Sequence, residues 1–377
     1  MWVRIFAILS LIIALALPTA AEDMGVADIE KEFSQMMTAI PDDVARLLPD
    51  SFFDGTVRAA EGLDDTLNAG FWWEAFCRQL NYGMRDMAPV FLSIMAVLIV
   101  SALISAFKDV FHSEALSNAV GLAVSVVLVT MVVRFAVGHI EAVKEYFDRL
   151  YEVCLAMLPV MGAVLATGGS GMAAVATHGG FLAVLGVLEF FVGQSFGKIA
   201  GISLALNAAS SLNVRFRLSA IGRAVRRCFG IFFGVVTSCL GFIISLKIGI
   251  AAAGDSMAMR GAKLFASNAI PIVGSAVGDS LKTLVTALSY IKSVSGAVGI
   301  VIILLLVLPV LINVWLFRVG LVLLSAVAEM LGCEKERELL SGVVSVYGYM
   351  LAVIAVTAVI FIIMMTLFSK TALAFGG

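Results

Sequence analysis

The sequence predicts an all-α polytopic membrane protein, a bundle of transmembrane helices preceded by a small exported helical segment. Three observations lead there. Of 377 residues, 61% are hydrophobic and only 14% charged, where soluble domains average about 25% charged. Uncharged runs long enough to cross a bilayer recur along the chain. The charge is also divided: residues 22–86 hold fourteen acids against five bases, whereas residues 87–377 hold thirteen acids against nineteen bases. An acidic, water-compatible segment therefore precedes a weakly basic membrane body.

The first predicted element is a signal peptide, residues 1–21. Arg4 precedes an apolar stretch, Ile5–Leu17, that falls short of the roughly 20 residues a spanning helix needs. Pro18 follows, and Thr19 and Ala21 suit the small-residue positions before a cleavage point. An uncleaved anchor is the alternative, and either way residues 22–86 are exported. In "DIEKEFSQMMTAI", Ile29, Phe33, Met36, Met37 and Ile40 recur at helical spacing and predict one buried face. "PDDVARLLPDSF" places proline at a helix start and again near its end. "FWWEAF" suits an aromatic belt at the outer interface. A segment this short holds little core of its own, so it is expected to dock on the membrane body or on a partner.

The membrane body, residues 87–377, contains uncharged runs at Met87–Phe107, Ala115–Val133, Val153–Leu188, Cys228–Leu246, Ser293–Phe317 and Leu339–Ser369. Each has the length to cross hydrocarbon. Val319–Ala328 is too short alone and reads as an interfacial or re-entrant piece. "VRFRLSAIGRAVRR" carries Arg215, Arg217, Arg223, Arg226 and Arg227 with no acid, so these five are topology determinants that hold the segment inside. A loop and a surface amphipathic helix both fit it. Counted from an exported residue 22, Met87–Phe107 runs inward, Ala115–Val133 outward, and one span near Gly179–Gly197 returns. That leaves the Pro159 segment as a re-entrant hairpin or broken helix that does not cross. After the arginines the order repeats, with the Pro271 segment dipping in.

"LPVMGAVLA" (Leu158–Ala166) and "IPIVGSAVG" (Ile270–Gly278) align at an offset of 112 residues, Pro159 with Pro271 and Gly162 with Gly274. Internal repeats at about 115–197 and 228–317 follow, parallel on this crossing count and inverted if one crossing is added or removed. Proline removes a helix donor and glycine loosens the turn. The freed backbone groups are tolerated at membrane depth only inside protein or beside a wet cavity. Pro159, Gly162, Asn268, Pro271, Gly274 and Asp279 are therefore candidate pore, binding or structural-break residues. A packed kink is the plainer alternative. Glu189, after a long apolar run, is a candidate intramembrane charge or an interfacial helix end. Asn313 reads as interhelical glue.

No chemistry of a soluble enzyme is present. GxxxxGK[ST], HExxH and GxSxG are all missing. His112, His139 and His178 have no metal-ligand spacing. Five scattered cysteines without a CxxC read as buried apolar residues rather than a disulfide framework. The expectation is a non-enzyme without cofactor or metal, in contact with lipid and not with nucleic acid.

"GAKLFASNAIPIVGSAVGDSL", set between the arginine-rich segment and "SVSGAVGIVIILLLVLPVL", resembles the stage III sporulation protein AE family of endospore formers. "LYEVCLAMLPVMGAVLATGGSGMAAV" and the signal peptide with its short exported segment fit as well, so the resemblance covers essentially the whole chain. Ser-Asn-x-x-Pro-x-x-Gly is its most specific part; typical members carry a second glycine after Gly274, where this chain has Ser275. The resemblance implies a member of the eight-protein stage III A complex, which joins stage II sporulation protein Q across the space between mother cell and engulfed forespore. It implies a channel or specialised secretion apparatus, a place in the mother-cell-derived membrane around the forespore, and energy supplied by an ATPase subunit. It transfers no catalytic residues. The alternative function is a secondary transporter of a small solute or ion, with its site at the paired broken helices.

Overall fold

Apolar residues at three- and four-residue spacing dictate helix throughout, and helix is what forms. The structure, a computed structural model, describes residues 26–106, 114–168, 170–212, 219–269 and 274–370, with no strand among them. The predicted signal peptide lies outside these residues. α1 (Val26–Thr38), α2 (Asp42–Ala45), a 3-10 turn (Asp50–Phe53) and α3 (Thr56–Leu67) come first. The long helices are α4 (Ala69–Ala106), α5 (Glu114–Thr167), α6 (Gly171–Leu188), α7 (Gly197–Leu212), α8 (Ser219–Ala269), α9 (Gly274–Met330) and α10 (Glu334–Lys370). A π-helical segment, Glu189–Phe196, joins α6 to α7 without a break, so six units are long and apolar enough to span a membrane.

The face predicted on α1 is the buried one: Ile29, Phe33, Met36, Met37 and Ile40, and α1 packs against α5 while α3 packs against α9. Pro41 and Pro49 stand immediately before α2 and the 3-10 turn, where a missing N–H costs nothing. The Glu30 carboxylate accepts hydrogen bonds from the Thr56 N–H, at 3.1 Å, and from the Thr56 hydroxyl. It thereby places negative charge at the start of α3, where the helix dipole favours it. Gly55 makes this approach feasible. Its φ of +102° suits glycine, and a Cβ there would lie 2.8 Å from Glu30 Oε2. Asn68 alone separates α3 from α4, so the predicted division at residues 86 and 87 falls inside one helix.

The long units alternate in direction. Gly299 of α9 lies against Met157 of α5 and Met365 of α10, whereas Phe317 of α9 meets His139 and Tyr347. Both α5 and α10 therefore run antiparallel to α9. Gly83 of α4 packs on Asn313 and Leu316, and Met87 on Gly320, so α4 runs with α9. Phe147 meets Phe196, Gly180 meets Ile244, and Ser203 meets Gly222, which sets the α6–α7 unit antiparallel to α5 and α8. The α9–α10 turn shows how such a reversal is closed. Gly332 takes φ +72°, its N–H donates to Glu329 O at 3.1 Å, and Cys333 N–H reaches back to Ala328 O at 2.8 Å. That is the Schellman pattern, with glycine at the left-handed position.

Three expectations change. Pro159 neither breaks nor turns the chain: α5 runs through it for 54 residues, about 81 Å. The ring and Leu155, whose carbonyl loses its donor, both lie on the exposed face. The turn comes later, at residues 168–170, where Ser170 N–H donates to Leu165 O at 2.9 Å. The charged stretch 134–152 is the amphipathic middle of α5, with Val143, Phe147 and Leu150 inward. Val319–Ala328 is part of continuous α9. α8 ends at Ala269 and α9 begins at Gly274, so Pro271 lies outside the described residues. Of the two segments in the 112-residue alignment, only Leu158–Ala166 is therefore described throughout, as helix interior. Of the cysteines, Cys154 and Cys333 are buried, but Cys77, Cys228 and Cys239 are exposed.

Candidate functional site

A polar belt crosses the bundle at one height. Gly83 meets Asn313 and Leu316; Phe317 and Arg318, next along α9, meet Tyr347 and Gly348; Ser345 and Tyr349 of α10 meet Arg226 and Phe229 of α8. These contacts bring Arg85, Asp86, Arg134, Lys198, Arg223, Arg227 and Arg318 to one level, all exposed. From the belt, apolar outer surface runs in opposite directions on different helices. On one side α4 exposes Leu92, Ile99 and Leu103 and α5 exposes Leu122 and Val126; on the other α8 exposes Ile231, Val235, Phe242, Leu246 and Ile250. At 1.5 Å per residue the two bands are centred about 35 Å apart along the bundle axis. Level with the α8 band, α4 instead exposes Glu74, Arg78 and Asn81.

Three polar groupings sit in or next to the belt. The first is at His139, whose Nδ1 donates to Phe135 O at 2.9 Å and lies 3.0 Å from the Tyr347 hydroxyl. Its ring packs on Phe317 with centroids 4.0 Å apart. A half-open cavity of about 300 Å³ lies beside it, lined by Arg134, His139 and Asn313 with apolar Phe135, Val310 and Val314. Asn313 Oδ1 is buried without a partner and lies against Gly83.

The second grouping surrounds Glu189, which opens the π-helical segment. Ser195 donates to Phe190 O five residues back at 3.2 Å, the spacing a π-turn allows. Glu189 is exposed, folds over Gly193, and shares a cavity of about 20 Å³ with Asp148 of α5, enough for one water.

The third grouping is buried between α7, α8 and α10. Arg226 Nη2 donates to Ser345 Oγ at 2.8 Å, and Asn207 Nδ2 donates to Gly342 O at 3.1 Å. Gly222 and Gly342 keep the helices close: a Cβ on Gly342 would lie 2.8 Å from the Asn207 amide, and one on Gly222 would lie 3.5 Å from Arg226 Nη1. Arg226 is thus a buried interhelical residue, unlike exposed Arg223 and Arg227, with which the sequence groups it. One signal separates them. Arg226 falls in register with the buried stripe Phe233, Thr237, Ile244 and Ile248 of α8. Nothing in the sequence points to Asn207, Ser345 or Tyr349 as its neighbours.

Of the predicted break residues, Pro159 and Gly162 alone are described in full. Pro159 and Gly162 lie within α5, and no atom stands within 4 Å of a Cβ built on Gly162. Asn268 is near the end of α8, Gly274 opens α9 and Asp279 falls in its second turn; their side chains, like Pro271, Arg215 and Arg217, lie outside the described residues. Among the described residues no cluster of His, Cys, Asp and Glu is arranged to hold a metal.

Residues 56–372 match the family described as stage III sporulation protein AE. The chain belongs to that family. A curated relative, stage III sporulation protein AE of Bacillus subtilis (strain 168), is 21% identical over 321 residues, covering 85% of this chain and 80% of the relative. No solved structure matches. Family membership and six membrane-length apolar helical units together make this a multi-pass membrane protein of sporulation.

Proposed function

We propose that this chain is a structural membrane subunit of the channel complex between mother cell and forespore, acting without catalysis of its own. It sits in the mother-cell-derived membrane around the forespore, beside other stage III A proteins and, through them, stage II sporulation protein Q. One observation carries the reading beyond the family: the two apolar bands are offset by about 35 Å, more than the roughly 30 Å of one hydrocarbon core. A flat bilayer covers one band and leaves the other needing an apolar cover, which partner subunits or further copies supply. A subunit built for an assembly has such surfaces, and a self-contained carrier does not.

The test is deletion of this chain in its endospore-forming host, with a tagged copy restored. Expected outcomes are arrest after engulfment, rescue by the tagged copy, a fluorescent ring around the forespore, and co-purification of stage III A proteins. Normal spore yield on deletion, or purification of the tagged chain alone from mild detergent, overturns the proposal.

A further inference from the structure

Arg226 is 5% exposed, and no carboxylate lies within ion-pair distance of it among the described residues. Its Nη2 is held by Ser345, but Nη1 has no hydrogen-bond partner. Two more buried side chains of the same grouping end in unpartnered atoms: the Tyr349 hydroxyl, on a residue 8% exposed, and Asn207 Oδ1, on a residue 2% exposed. Tyr349 stands one turn beyond Ser345 on α10, and the carbonyl that holds Asn207 stands one turn before it. Three neighbouring helices therefore leave a guanidinium N–H, a phenol O–H and an amide oxygen buried and unsatisfied within two turns of α10.

A guanidinium withdrawn from water without a counter-charge is costly, and buried polar atoms without partners are rare enough to need a cause. An oxyanion removes both costs, because it accepts from Arg226 Nη1 and Tyr349 at once and bonds to a cation are the strong ones. Asn207 Oδ1 then accepts from a hydroxyl adjoining that anion. The height of the grouping selects the anion. The belt borders both apolar bands, so whichever band lies in hydrocarbon, Arg226 stands at its edge, where phospholipid phosphates lie. Arg223 and Arg227, exposed on the same helix, add the positive field that draws anionic headgroups.

We propose that Arg226, Tyr349 and Asn207 form an interhelical seat for a phosphate oxyanion, supplied by an anionic phospholipid headgroup or by free phosphate. The seat does not rest on the sporulation reading. The full chain in phosphatidylcholine nanodiscs tests it, with the unfolding midpoint followed as phosphatidylglycerol or inorganic phosphate is added. Binding raises the midpoint by about 3–6 °C. A shift with phosphatidylglycerol and none with inorganic phosphate assigns the headgroup; a shift with inorganic phosphate in the absence of anionic lipid assigns the free ion. Tyr349→Phe, which removes one hydroxyl, should cut the shift by about half. Ser345→Asp sets a carboxylate beside the guanidinium, and should raise the starting midpoint and abolish the shift. No shift with either phosphate source, or an undiminished shift in both variants, overturns the proposal.

Discussion

α8 and α9 are similar in length, 51 and 57 residues, and each carries an apolar window fit to cross a membrane. Their surroundings differ. In the most apolar part of α9, 56% of residues are buried by protein, against 17% in α8. α9 packs on α3, α4, α5 and α10, while α8 packs on α6, α7 and α10 and leaves a long side open. α9 is also the more apolar of the two, so the strongest membrane signal in the chain belongs to a helix that meets chiefly protein. Lipid tails and leucine side chains are equally apolar, so hydropathy does not tell one cover from the other.

Paired substitutions break or sharpen this contrast. The largest effect is expected from an added charge. Ile303→Lys buries an ammonium at a fully enclosed site on α9, a penalty of several kcal/mol, and no folded protein should accumulate in membranes. Phe242→Lys, at a site 66% exposed on α8, costs about 2.5–3.5 kcal/mol in lipid and should leave reduced but detectable protein by immunoblot. Equal loss in both erases the contrast.

A smaller effect comes from added volume. A Cβ on Gly299 would lie 3.0 Å from Met365 Sδ and press on Met157, whereas nothing lies within 4 Å of one on Gly241. Gly299→Leu should lower stability by about 1–3 kcal/mol. Gly241→Leu should be neutral or raise it by up to about 1 kcal/mol through helix propensity. Unfolding midpoints in detergent decide between them. Next is Gly332→Ala: at φ +72° it should cost about 1 kcal/mol, loosening the turn that folds α10 back over α9. The smallest perturbation is chemical labelling of single-cysteine variants. In detergent Cys239 of α8 should react with maleimide at once, and Cys154, enclosed in α5 against the same core as α9, only on unfolding. Prompt reaction at Cys154 would show that the core opens.

Much of the helix inventory was legible in the sequence. The six membrane-length apolar units and the buried face of α1 follow from run length and from the spacing of Ile29, Phe33 and Met36. What failed did so for physical reasons. Pro159 looked like a break because proline deletes one hydrogen bond, but packing along 54 residues keeps α5 helical past a single loss. The charged stretch 134–152 shows the converse, since one inward stripe suffices to keep it helical. The site was less legible than the fold. Arg226 looked like one of five equivalent arginines, and only its phase relative to the buried stripe of α8 sets it apart. Ser345 and Tyr349 come from a helix more than a hundred residues further on, a proximity that arises from packing and leaves no mark in local spacing.

α5 packs against α1, α4, α6, α7, α9 and α10 and crosses the belt without a joint. It is in effect the keel of the molecule. A rod about 81 Å long, stiff along its axis and gripped at every level, does not let its two ends move independently. A load applied where α1 rests on it would be felt at Glu114 as translation or tilt of the whole unit. If another subunit covers one apolar band, as proposed above, its binding would in this way register at the other.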